Sequence, residues 1–199
     1  MPVDSSDNPA RLSRSDVLGR LKIAVERELA ELDQAYKERP LSAVAWIARN
    51  LLELVVWVKY CSASDENANT FADDCARDAV QAIDLPDGFS NDETFSHRDA
   101  RASIIKKAKE AGFETVDEGY TRVANAAKAV GLDEMFKHSN KLYSKFAHPT
   151  ALMVMTPMEE FEQGFKNIFL DGGRAAGVQA LRLIAEFDGD IRKVQTDDI

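Results

Sequence analysis

Residues 41–58 read LSAVAWIARNLLELVVWV, and only Ser42, Arg49, Asn50 and Glu53 among them are polar. A helix that is apolar nearly all round belongs at the centre of a bundle, with neighbours covering each of its faces. Its length also suits a membrane span. Arg49 and Glu53 at its middle would each cost roughly 2.5–3.5 kcal/mol in lipid, and no neighbouring segment could pair with it as a second span. The stretch is therefore expected to be a buried core helix over 41–61.

Working outward, one helix signal follows another. Residues 14–37 carry Val17, Leu18, Leu21, Ala24, Val25, Leu29, Leu32 and Ala35 at helical period. Ser13 or Ser15 can cap this segment, and Pro40 ends it. Ser64 can cap a third helix to about Ile83, with Phe71, Ala72, Cys75, Ala79 and Ala82 as its core face. Asp73, Asp74 and Asp78 then form a charged face expected to be solvated. Residues 84–91, DLPDGFSN, are the clearest loop.

Three capping-box patterns come next: Ser96 with Asp99, Thr115 with Glu118, and Thr156 with Glu159. Gly112 and Gly131 stand where helix C-caps are expected. A final helix over about 173–187 places Gly173, Ala176, Gly177 and Ala180 on one face, small enough for another helix to approach closely. The expected fold is all-α, a single-domain bundle of about six or seven helices. It spans 13–190, between an N-terminal arm at 1–12 and a polar tail at 191–199.

Composition agrees with this. The 199 residues are 45% apolar and 30% charged, in the range of a globular domain. The first residues show no basic start and no apolar run, so neither a signal peptide nor an anchor is expected. Two cysteines, Cys61 and Cys75, fit free, mostly buried thiols in a cytoplasmic protein better than a disulfide framework. No zinc-ligand spacing occurs, so neither a metal nor another cofactor is expected. A net charge of −9 disfavours an extended grip on a phosphate backbone, and DNA is not an expected partner.

Two constellations could carry chemistry. Arg49 and Glu53 lie four apart on one face of the apolar helix, in the order that is weaker for an exposed pair. They are expected to pair in the interior, or to line a polar pocket where Arg49 holds an anion. The second is residues 143–149, YSKFAHP. Pro149 disfavours helical geometry at His148 and so places the imidazole at a helix end, an accessible position for a general acid or base. Ser144 and Lys141, four and seven residues earlier, fall on roughly the same face. His97 and His138 sit in polar stretches and are expected to be solvated.

The segments ARNLLE at 48–53 and SKFAHP at 144–149 resemble a group of bacterial helical proteins related to the HEPN superfamily. The resemblance implies an all-α bundle, often a homodimer, of the kind found in toxin–antitoxin and phage-defence systems. Many such proteins are metal-independent ribonucleases that use an Arg-x(4–6)-His motif. This chain has no Arg at that distance before His148; the nearest bases are Lys141 and Lys145. Either Arg49 supplies the cation from another helix, or the fold is kept without the nuclease.

Two functional expectations follow. The first is a non-catalytic helical module of such a system, binding a protein partner or a second copy of itself. The second is RNA or nucleotide chemistry. There His148 is the acid or base, Arg49 and Lys141 stabilise phosphorane charge, and Tyr143 and Ser144 position the phosphate, with Glu53 orienting Arg49 and Asn50 contacting substrate.

Overall fold

The first helix is opened by Ser13. Its hydroxyl accepts from the Asp16 N–H at 3.1 Å, and its own N–H reaches the Asp16 carboxylate at 3.1 Å, a reciprocal capping box. The computed structural model describes residues 12–83, 97–110, 121–156 and 158–197. In chain order the helices are α1 (Arg14–Glu38), α2 (Leu41–Ala63), α3 (Asp65–Ile83), α4 (His97–Glu110), α5 (Val123–Ala129), α6 (Asp133–Ala147), α7 (Ala151–Met155) and α8 (Glu162–Asp197). A single 3-10 turn, Met158–Glu160, precedes α8. No strand occurs among the described residues.

The all-α bundle is as the sequence implied, and α2 is its centre. Val44, Ala45, Ala48, Leu51, Val56, Val58 and Cys61 are fully buried, and α1, α3, α5, α6 and α8 all pack against this helix. By length and composition α2 could cross a membrane, and it alone among the described helices passes that test. Just over half of that apolar stretch, 56%, is buried inside the bundle.

The small-residue face of α8 does what its spacing suggests. A Cβ on Gly173 would come within 2.7 Å of Leu32 Cδ2 and 3.2 Å of Ala48 Cα, so α8 lies close against both α1 and α2. On the other flank of α8, Phe165 and Phe169 pack at a tilt against Phe146 at ring distances of 4.4 and 5.2 Å, tying α6 to α8. Gly131 adopts φ 69°, which lets the chain turn between α5 and α6 while the Leu132 N–H returns to the Ala127 carbonyl at 2.8 Å.

Several expectations need correction. There are eight α-helices among the described residues, because the chain turns at Gly131 and the segment after Pro149 forms the separate five-residue α7. The last helix begins at Glu162 and continues to Asp197, through most of the segment expected as a tail. Thr156 ends α7 and does not open a long helix. The core face of α3 is rotated from its apolar reading. Cys75 and Ala79 are exposed, while Asp73 and Asp74 are buried. The reason is polar satisfaction: Asp74 pairs with the buried Arg77 and accepts from the Thr121 N–H at 3.3 Å. The 1–11 arm, the 84–91 loop, Ser96, Gly112 and the Thr115–Glu118 box lie outside the described residues.

The two thiols differ accordingly. Cys61 is fully buried, and burial, with a smaller contribution from the Asp74 charge, pushes its thiol up to about 12. Cys75 is exposed. Titration with a chromogenic disulfide should label one thiol per native chain, with the second appearing only in denaturant. Two fast thiols would contradict the placement of α3 against α2. The same shift fixes a sign for alkaline stability. A thiol protonated longer in the folded state contributes stability below its unfolded value of 9.0, and that contribution is lost as pH rises through about 12. Cys61→Ala should flatten part of the alkaline limb of a stability–pH profile.

Candidate functional site

Four turns of helix bring the candidate residues together at the junction of α2 and α6. On α2, Trp46 precedes Arg49 by three residues and Glu53 follows it by four, so all three share one face. Arg49 Nη2 pairs with Glu53 Oε1 at 2.9 Å, and Arg49 Nε donates to Asn140 Oδ1 on α6 at 2.9 Å. The Ser144 hydroxyl donates to the same Asn140 oxygen at 3.4 Å. The guanidinium carbon stands 5.8 Å from the centre of the Trp46 ring, within cation–π reach.

His148 is the C-terminal residue at which α6 leaves helical geometry, with φ −119° and ψ 156°. Thr150 fixes this corner: its N–H bonds the His148 carbonyl at 2.8 Å and its hydroxyl the Lys145 carbonyl at 2.7 Å. The exposed imidazole meets the edge of Trp46 at 5.7 Å, with the ring planes at 84°. His148 and Arg49 therefore flank one indole, each on its own contact.

The Arg49–Glu53 contact expected from the sequence is present, but its burial is less than expected. The side chains keep 24% and 28% of their exposure, because α2 presents this face at the bundle edge. Arg49→Ala should therefore cost about 1–2 kcal/mol, between the values for a surface pair and a fully buried one. Urea denaturation giving a loss above about 3 kcal/mol would show the pair to be interior after all.

Other candidates lie elsewhere. Asn50 turns to α1, donating to Glu28 Oε2 at 3.1 Å. Lys141 is exposed and has no ion pair among the described residues. Tyr143 is buried on the α8 side of α6, its ring edge on Phe169 at 5.4 Å, and does not join the Trp46 cluster. His138 is exposed beside Glu134 at 3.3 Å. Trp46 and Asn140 are the two members that sequence reasoning missed. Their signal was positional: Trp46 lies one turn before Arg49, and Asn140 one turn before Ser144 and two before His148.

Chemically, the cluster offers a flat aromatic surface, an imidazole and a guanidinium already balanced by a carboxylate. A phosphate approaching Arg49 would meet Glu53 as a like charge. No protein-family model, curated protein or solved structure matches this chain.

From His148 the chain runs on through Pro149 and Thr150 into α7. Leu152, Val154 and Met155 of α7 and Phe161 after the 3-10 turn are all exposed, Val154 to 69% and Met155 to 80%. Trp46 itself is 45% exposed.

Proposed function

We propose that this chain is a helical interaction module, working in the cytoplasm without catalysis, which binds through the face formed by Trp46, Arg49 and His148 and the apolar corner of α7. The observation that carries this reading is the exposed run of Leu152, Val154, Met155 and Phe161 following directly on the Trp46–His148 contact. Large apolar side chains left in water close together along the chain support reading this segment as an interaction surface. Trp and Arg are also the residue types that anchor such interfaces.

The occupant that fits this face is a second copy of the chain. A two-fold interface needs one patch carrying both partners' chemistry. Here exposed Lys145 precedes the apolar corner and exposed Glu159 and Glu160 follow it, so a symmetric copy can set each sign against the other. A role in a toxin–antitoxin or phage-defence pair is what the resemblance to HEPN-related proteins adds.

Sedimentation equilibrium tests this directly. Wild type should form a dimer at micromolar concentration, whereas Met155→Ser and Trp46→Ser should be monomeric with unchanged helical circular dichroism. A wild-type monomer throughout that range would overturn the homodimer.

One observation favours a second reading. His148 and Arg49 each contact the Trp46 indole, which supports a reading in which both act on one substrate. That reading requires purified protein to cleave single-stranded RNA without metal, with His148→Ala abolishing cleavage and leaving the melting temperature unchanged. Failure of wild type to cleave disposes of it.

A further inference from the structure

A cavity of about 330 Å³ opens between α2, α6 and α8, apart from the Trp46 cluster. Leu52 and Val55 of α2 form its floor, and Ala175, Ala176 and Leu183 of α8 form a wall. The space exists because α8 presents small residues there. Its volume is at the low end of the roughly 300–1,000 Å³ typical of small-molecule sites.

Two polar groups on its lining have no hydrogen-bond or ion-pair partner among the described residues. Tyr143 keeps only 6% of its exposure, yet its hydroxyl forms no hydrogen bond with any described residue. The ring is buried while the oxygen itself keeps accessible surface, since Arg14 Nε alone among the described residues is a fully buried side-chain polar atom without a hydrogen-bond partner. The Tyr143 oxygen lies against Gly172, where any side chain would overlap it, so the glycine preserves the hydroxyl's position on the cavity wall. Burial alone, with no bonding contribution, raises this phenol above its ordinary value.

Lys59 is the second. It is half-buried on the lining and has no ion pair among the described residues, in a chain with 34 acidic and 25 basic residues. No Asp or Glu joins Lys59 on the cavity lining, so an anion entering there would meet a cation without a competing carboxylate. Ser139 and Gln179 add further hydrogen-bonding capacity on the lining.

We infer that this cavity is a binding site for a small, mostly apolar monocarboxylate, whose body fills the space between α2 and α8 while Lys59 and the Tyr143 hydroxyl receive its polar end. The inference stands independently of the dimer face, since none of the cavity residues belongs to the Trp46 cluster or to α7.

Isothermal titration calorimetry of the full chain with decanoate provides the test. Wild type should bind one decanoate per chain and should bind decanol at least about tenfold more weakly, because the alcohol cannot satisfy the ammonium. Lys59→Met keeps the apolar stem and should weaken decanoate about tenfold while leaving decanol unchanged. Tyr143→Phe, a change that removes only one oxygen, should weaken decanoate about fivefold. Ala176→Leu should abolish binding by filling the space. Met155→Ser, on the dimer face, should bind as wild type does. Absence of decanoate binding by wild type would overturn the site. So would binding insensitive to Lys59→Met and Tyr143→Phe, or binding lost in Met155→Ser, which would place the ligand on the exposed corner.

Discussion

Phe169→Ala is expected to lower the stability of the folded chain by about 4 kcal/mol, a loss in the range for truncating a fully buried aromatic. The ring has no exposed surface and meets three others, Tyr143, Phe146 and Phe165, at 5.4, 5.2 and 6.1 Å. Removing it opens a cavity within the ring cluster that holds α6 against α8. The surrounding rings belong to two different helices and cannot both move in to fill it. Urea denaturation checks the value from the shift in midpoint at unchanged slope. A loss below about 1 kcal/mol would mean that the α6–α8 contact is not a packed core.

Asp74→Ala has the second large effect, about 3 kcal/mol, and its cause is electrostatic rather than volumetric. Arg77 keeps 4% of its exposure, so losing the carboxylate leaves a buried guanidinium short of one partner. The Thr121 N–H also loses its acceptor. Burial raises the Asp74 carboxyl against the opposing pull of Arg77 and the Thr121 N–H. A carboxyl raised in the folded state contributes stability below its unfolded value, and that contribution fades as pH rises through the folded one. Its own titration therefore does not promote acid unfolding. The pair is worth retaining because breaking one side is costly, even where an apolar replacement of both would be tolerated.

The main lines of the fold were legible because they depend on local chemistry. The continuous apolar surface of 41–58 put α2 at the centre, Ser13 and Ser64 marked helix starts, and Pro40 and Gly131 marked turns. Small residues at 173, 176, 177 and 180 announced the close approach of α8. The orientation of α3 was not legible, because Asp74 is buried with Arg77 one turn on and with the Thr121 N–H, 47 residues away. A charged residue is read as solvated unless its partner is known. The extent of α8 was hidden for a related reason: nothing in the polar residues after Phe187 forces a helix to stop.

The site was legible in part. Arg49, Glu53, Ser144 and His148 were found from helical spacing and from the proline that ends α6. Tyr143 was grouped with them by adjacency in sequence, yet adjacent residues in a helix face different directions, and its ring went to α8. Trp46 was passed over because an aromatic in an apolar helix is normally core. Only the structure shows that α2 leaves this ring at the edge, between a guanidinium and an imidazole.

The claim that Trp46 stands on a face covered by a second copy is tested most directly by the fluorescence of that ring. Trp57→Phe leaves Trp46 as the single tryptophan, replacing the second indole, which packs against Phe71 at 4.9 Å, with another aromatic ring. If the chain pairs through this face, the emission of Trp46 should shift to the red when the protein is diluted from high micromolar to nanomolar concentration, as the indole returns to water. The transition should follow mass action and should vanish in Met155→Ser. An emission maximum independent of concentration, in a protein that sedimentation shows to be dimeric, would place the interface elsewhere and contradict the account.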